Sequence, residues 1–127
     1  LTMGRAPIEF FSIVSRLSRL RKLAFSIGEE SFTMVRLLTT LKHLRSLDVK
    51  IERELFLGSF ICSEVREKTL IAVIEGIPDL SSFSFEDKRK YSKQFFDSIE
   101  QLRHQKPNLC IDVSKVTKRN DSFITSF

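Results

Sequence analysis

The sequence predicts an α/β fold, a right-handed solenoid of about four repeats with short parallel strands and outer helices. A recurring stretch is the first observation behind it. Leu41-Lys-His-Leu44-Arg-Ser-Leu47-Asp-Val49 has the same form as Leu17-Ser-Arg-Leu20-Arg-Lys-Leu23-Ala-Phe25 and Ile77-Pro-Asp-Leu80-Ser-Ser-Phe83-Ser-Phe85. A fainter copy, Lys106-Pro-Asn-Leu109-Cys-Ile111-Asp-Val113, is one residue shorter between its leucine and the next apolar position. Their period is the second observation. Leu20, Leu44, Leu80 and Leu109 follow one another after 24, 36 and 29 residues, a unit size that signals stacked repeats. The third is a change of phase inside each copy. Apolar spacings of three, three and two read as the last turn of a helix followed by a strand.

Taken in order, residues 7–18 read as a helix. Pro7 suits the first helical position, and Ile8, Phe11, Val14 and Leu17 fall three apart. Leu20 to Phe25 is the first strand, and Ser26-Ile-Gly28 turns the chain. A helix is expected near 32–43, with Met34, Leu37, Leu38 and Leu41 on one face, and Leu47 to Ile51 is the second strand. Residues 52–62 are too apolar for a solvated loop and read as a short packed helix. The next helix, near 64–75, turns Val65, Leu70, Ile71 and Ile74 inward, and Gly76 and Pro78 end it. Phe83 to Phe85 is the third strand. Asp87 is the expected N-cap of a helix over 88–104 that carries Tyr91, Phe95, Ile99 and Leu102 on its inner face. Lys106-Pro107-Asn108 breaks that helix, and Leu109 to Val113 is the fourth strand. Residues 1–116 are thus read as one solenoid and 117–127 as a polar, flexible tail.

Strands joined by helical crossovers of this length run parallel. A doubly wound sheet, covered on both faces, has near-continuous apolar strands. Here Leu47, Val49 and Ile51 alternate with Ser46, Asp48 and Lys50, so one face of the sheet is expected to stay open.

The three clear copies resemble the Leu-x-x-Leu-x-Leu core of leucine-rich repeats. The long helical intervals are similar to the ribonuclease-inhibitor-like branch, as found in the repeat arms of F-box substrate receptors. Pro107-Asn108-Leu109 resembles the Pro-Asn-Leu that often precedes strands in those arms. The family usually places Asn or Cys three residues after the last apolar residue of its core, where this chain has Gly28, Glu52 and Lys88. The resemblance spans roughly residues 17–113. It implies an intracellular protein-interaction module, with substrate recognition for an SCF-type ubiquitin ligase as its narrower form. A cullin scaffold would then be reached through an F-box that these 127 residues do not display. An innate-immune-type sensor arm is a second form of the same fold.

Composition bounds the function classes. With 127 residues and 42% hydrophobic content the chain can bury one core but hardly two. Twelve Phe against one Tyr and no Trp suit a core better than a binding surface. The balance of 21 basic and 16 acidic residues gives a net charge of +5. Because these charges are scattered along the chain, a general basic surface is expected in preference to a nucleic-acid-binding module. Lys88-Arg-Lys90 and Lys115 to Arg119 read as solvated helix and tail. No apolar run approaches membrane-spanning length and the start has no signal-peptide pattern, so the expected location is cytoplasmic or nuclear. The chain begins at Leu1 and reads as the C-terminal piece of a longer array.

The inventory for catalysis is thin. His43 and His104 sit beside Lys or Arg on expected helices, and Glu100 with His104 supplies two ligands where a metal needs more. Cys62 and Cys110 have apolar neighbours and read as reduced structural thiols, with Cys110 on the outward phase of its strand. There is no glycine-rich phosphate loop. The expectation is a protein without catalysis, cofactor or metal. Its site would be the concave face, formed by Lys22, Ala24 and Ser26; Ser46, Asp48 and Lys50; Ser82, Ser84 and Glu86; Cys110, Asp112 and Ser114. The final Thr125-Ser126-Phe127 has the form of a peptide captured by a PDZ domain.

Overall fold

A computed structural model describes residues 2–5, 13–14, 16–52 and 63–118. It is an α/β structure whose five strands are β1 (Thr2–Arg5), β2 (Lys22–Gly28), β3 (Ser46–Glu52), β4 (Ser82–Tyr91) and β5 (Cys110–Lys118). All four pairings are parallel, and the spatial order β1-β2-β3-β4-β5 is the order in the chain. A 3-10 helix, Glu29–Thr40, joins β2 to β3. Two α-helices follow: α1 (Ser63–Gly76) before β4 and α2 (Lys93–Gln105) between β4 and β5.

The four copies of the recurring stretch fold alike. In each, the leading leucine N–H closes a turn on the carbonyl three residues back: Leu20 to Leu17, Leu44 to Leu41, Leu80 to Ile77 and Leu109 to Lys106, at 2.9–3.3 Å. Neighbouring copies are then stitched at the strand entrances. Arg45 and Ser46 both donate to Arg21 O, Ser81 and Ser82 both donate to Arg45 O, and Cys110 donates to Ser81 O. The fainter copy behaves as the others do. Its missing residue falls after the turn and leaves one N–H at the strand entrance where the others have two, and Phe83 still pairs with Ile111.

One core lies between the sheet and the helices. Leu23, Phe25, Leu47, Val49, Phe83, Phe85, Ile111 and Val113 point into it from the strands. Val35, Leu38, Leu70, Val73, Ile74, Phe95, Ile99 and Leu102 meet them from the helices. Apart from the buried Ser26, the intervening strand positions are exposed or half-buried, so among the described residues the other face of the sheet is open. Rings run in a chain from β4 to α2: Phe83–Phe85 at 6.4 Å, Phe85–Tyr91 at 5.6 Å and Tyr91–Phe95 at 4.7 Å between centroids. The first pair is stacked, the second edge-on and the third tilted, contacts that add to the effect of burial alone.

Several expectations are corrected. The helix near 32–43 is a 3-10 helix ending at Thr40. As α-helix its twelve residues would span about 18 Å, against about 24 Å in 3-10 geometry. The tighter coil therefore reaches back along a seven-residue strand of about 23 Å in the shortest of the intervals. Thr39 and Thr40 support it by donating to Arg36 O and Leu37 O, both at 2.8 Å.

In α1, Val65 is 45% exposed and Arg66 takes the inward place, 2% exposed. Gly76 ends α1 without a positive φ. Its smallness serves packing instead, because a Cβ there would lie 2.7 Å from Thr39 Cγ2. The last turn of α1 has no basic residue of its own. Lys42 and Lys106, from the neighbouring copies, donate to Gly76 O and Ile74 O at 3.3 and 3.2 Å, where the helix dipole favours cations.

The third strand is ten residues long, not three, and Asp87 lies buried in it instead of capping α2. Ser92 is the cap, accepting from Phe95 N at 3.2 Å. β5 runs on to Lys118, so Thr117 and Lys118 belong to the sheet and not to the tail. β1 was not expected, since residues 2–5 carry no copy of the recurring stretch. Of the helix expected over 7–18, Ile13 and Val14 are helical, whereas Arg16, Leu17 and Ser18 form a turn in which Leu17 is exposed; the other residues of that stretch lie outside the described ones. Residues 53–62 with Cys62, and the terminal Thr125-Ser126-Phe127, lie outside the described residues.

Candidate functional site

Parallel register turns the alternation of each strand into rows across the open face. The first row is Lys22, Ser46, Ser82 and Cys110. The second is Ala24, Asp48, Ser84 and Asp112. The third is Ser26, Lys50, Glu86 and Lys115. Eleven of the twelve side chains expected on the face are thereby brought into rows. Ser114 is the exception. A register shift on the β5 side places Lys115 opposite Glu86, and Ser114 turns back to donate its N–H to Asp112 Oδ1 at 2.9 Å. Alternation of two cannot foresee a bulge, because one inserted residue reverses the phase of everything after it.

The rows differ in charge. Small neutral groups occupy the middle of the first. In the second, two exposed carboxylates flank Ser84, and at a strand spacing of about 4.8 Å they stand roughly 10 Å apart. Asp112 is held below the usual carboxylate range by its hydrogen bonds from the Ser114 hydroxyl and N–H. Asp48 makes no hydrogen bond or ion pair among the described residues. In the third row Glu86 lies between two cations, 3.5 Å from Lys50 Nζ and 3.5 Å from Lys115 Nζ. Ser26, although 8% exposed, donates its hydroxyl to Glu52 Oε1 at 3.2 Å. Rows two and three enclose a shallow cavity of about 400 Å³.

A larger cavity, about 640 Å³, lies on the helical side between α1 and α2. Four of its polar side chains are committed to each other. Glu64 pairs with Lys68 at 2.8 Å, and Glu67 accepts from both the N–H and the hydroxyl of Ser92. The first is an ion pair along α1 and the second holds the capping serine of α2, so the open face is the better candidate despite the smaller volume.

Beneath the far end of β4 sits a buried polar group of three. The Tyr91 hydroxyl donates to Asp87 Oδ2 at 2.6 Å, Arg66 Nε lies 3.6 Å from the same oxygen, and the Arg89 N–H donates to Asp87 Oδ1 at 3.0 Å. The Arg66 guanidinium also lies over the Tyr91 ring, 4.8 Å from its centroid. Burial raises the Tyr91 hydroxyl pKa well above its ordinary value of 10, and the Asp87 charge raises it further. Sequence reading missed this group because Asp87 stands where a cap is expected, and a buried Arg has no sequence signature.

Of the other candidates, Cys110 is exposed and unpaired, and His43 and His104 are exposed. His43 Nδ1 lies 4.0 Å from Asp79. Glu100 is engaged by Arg103 rather than His104. The described residues hold no cluster of three or more His, Cys, Asp or Glu that could bind a metal, and no helix long and apolar enough to cross a membrane.

In comparisons with known proteins no family model matches the chain, and neither a curated protein nor a solved structure does.

Proposed function

We propose that the chain is a protein–protein recognition module, built as a right-handed solenoid of about four leucine-rich-type repeats that binds its partner on the open sheet face. The observation that carries this is the all-parallel sheet in chain order with a single covered face. Parallel crossovers are right-handed in nearly all known cases. A sheet with both faces covered would leave no continuous surface. Here three polar rows cross four strands, within a face large enough for an extended segment. Asp48, Asp112 and Ser84 would hold a basic or hydrogen-bonding segment, with Lys22, Ser46, Ser82, Lys50 and Glu86 around it. Recruitment of substrates to a cullin ubiquitin ligase is the narrower form of this proposal and rests on the resemblance of the repeats.

The test is affinity purification of the full-length protein from its native cells, read by mass spectrometry, beside an Asp48→Ala/Glu86→Ala/Asp112→Ala variant. Partners are expected with the native face and lost with the variant, while circular dichroism stays unchanged. An unaltered partner set would overturn the assignment of the face. A cullin scaffold and its F-box adaptor among the partners would support the narrower form, and a receptor complex would favour the sensor-arm form.

A further inference from the structure

Two basic runs that are separate in sequence are joined by the fold. β4 carries Lys88, Arg89 and Lys90, and β5 carries Lys115 and Lys118. Register sets Lys90 beside Thr117 and Tyr91 beside Lys118, and Lys93 opens α2 two residues later. Lys88, Lys90, Lys93 and Lys118 are all exposed, and none makes an ion pair among the described residues. The acidic residues within the same stretch are already engaged. Asp87 is buried against Arg66 and Tyr91, and Glu86 is shared by Lys50 and Lys115. Among the described residues, therefore, four cations without an ion pair lie at one end of the sheet, in a protein whose whole net charge is +5.

The backbone that presents them is tied down from below. Asp87 accepts from the Arg89 N–H, within the irregularity between Asp87 and Lys90, and from the Tyr91 hydroxyl just past it. Asp87 and Tyr91 thus face inward while Lys88 and Lys90 face out. Anchored cations lose less freedom on binding than cations on a mobile loop.

We propose that Lys88, Lys90, Lys93 and Lys118 form a docking strip for an extended acidic polypeptide segment. Lys88 and Lys90 are both exposed, on either side of Arg89, so their charges are offered together to an extended chain of carboxylates. A nucleic-acid strand carries the same sign of charge but fits the strip less well. Single-strand binders stack bases on exposed rings. Here Tyr91 and Phe95 are buried, and among the described residues no aromatic is one of the exposed large apolar side chains. The four cations are lysines, point charges without the planar fork that grips phosphate in two places. The strip shares no residue with the face proposed above, so the two assignments can fail separately.

The test uses the full chain and a labelled synthetic peptide alternating Glu and Ser, with binding followed by fluorescence anisotropy. The peptide is expected to bind more tightly than an oligothymidylate of equal charge. A Lys88→Gln/Lys90→Gln/Lys93→Gln variant is expected to weaken peptide binding by about tenfold or more. Arg16→Gln/Arg19→Gln/Arg36→Gln removes the same charge from exposed positions elsewhere and should change it by less than about twofold. The Asp48/Glu86/Asp112 variant should retain binding. Tighter binding of the oligothymidylate would transfer the strip to nucleic acid and overturn the proposal. Equal losses in the two charge-removal variants would reduce it to net charge alone and overturn it as well.

Discussion

β2–β3 and β4–β5 are both parallel pairs grown from copies of one stretch, yet they are held together differently. β2 and β3 match residue for residue through seven positions, from Lys22 with Ser46 to Gly28 with Glu52. Beneath them lie only apolar side chains from the two strands, with Ile27, Val49 and Leu47 at 0–1% exposure. β4 and β5 lose register twice, and beneath their far end lie Arg66, Asp87 and Tyr91. In the first pair stability follows from apolar area removed from water, which is indifferent to direction. In the second it depends on satisfying a buried charge, which is directional and unforgiving. The regular pair builds the scaffold. The irregular pair shapes a particular backbone, and the exposed lysines ride on it.

The comparison can be broken most severely at Asp87. Asp87→Ala leaves the Arg66 guanidinium buried without its counter-charge and should cost about 3–5 kcal/mol in chemical denaturation. Asp48→Ala, exposed on the regular pair, should stay within about 0.5 kcal/mol. A loss below about 1 kcal/mol for Asp87→Ala would show that the buried group does not hold β4.

Tyr91 supplies the next largest effect. The folded state keeps its hydroxyl protonated above pH 10, whereas the unfolded chain releases that proton near 10. The unfolded state then binds fewer protons, so stability present below pH 10 falls as pH rises, by up to about 1.4 kcal/mol per pH unit. Because Tyr91 is the only tyrosine in the chain, tyrosinate absorbance should appear together with loss of circular dichroism. Absorbance rising first would contradict the burial assigned to it.

A smaller effect is expected where α1 and α2 meet. Ser92→Ala removes the cap that accepts from Phe95 N and should cost about 1 kcal/mol. Since Glu67 accepts from the same serine, Glu67→Ala and Ser92→Ala should be non-additive in a double-mutant cycle. The smallest change belongs to the open face itself. Glu86→Gln breaks two ion pairs whose lysines are 54% and 68% exposed, and its effect on stability should be under about 1 kcal/mol and vanish at high salt.

Much of this architecture could be read from residue order. The alternation Leu47-Asp48-Val49 predicted a half-buried strand, and burial follows it. Leu44 and Leu80 marked turns that the structure repeats with the same hydrogen bond. Reading stopped at Phe85, because Asp87 looks like a helix cap and Lys88-Arg89-Lys90 looks like solvated helix. Pairing with β5, above an Arg66 that arrives from α1, makes that stretch a strand. Val65 and Arg66 show the same limit, since helical period alone favoured the valine as the inward residue.

By itself, then, the sequence determined the repeat, the strand phases in the unbroken stretches and the polar character of the open face. These depend on the period of apolar residues, which is local and survives any tertiary context. The tertiary structure alone decided the buried Arg66–Asp87–Tyr91 group, the substitution of Lys115 for Ser114 on the face and the gathering of two basic runs into one strip. Each requires residues about 20 or more positions apart to be set side by side. Electrostatic energy depends on that separation in space, and no one-dimensional pattern contains it.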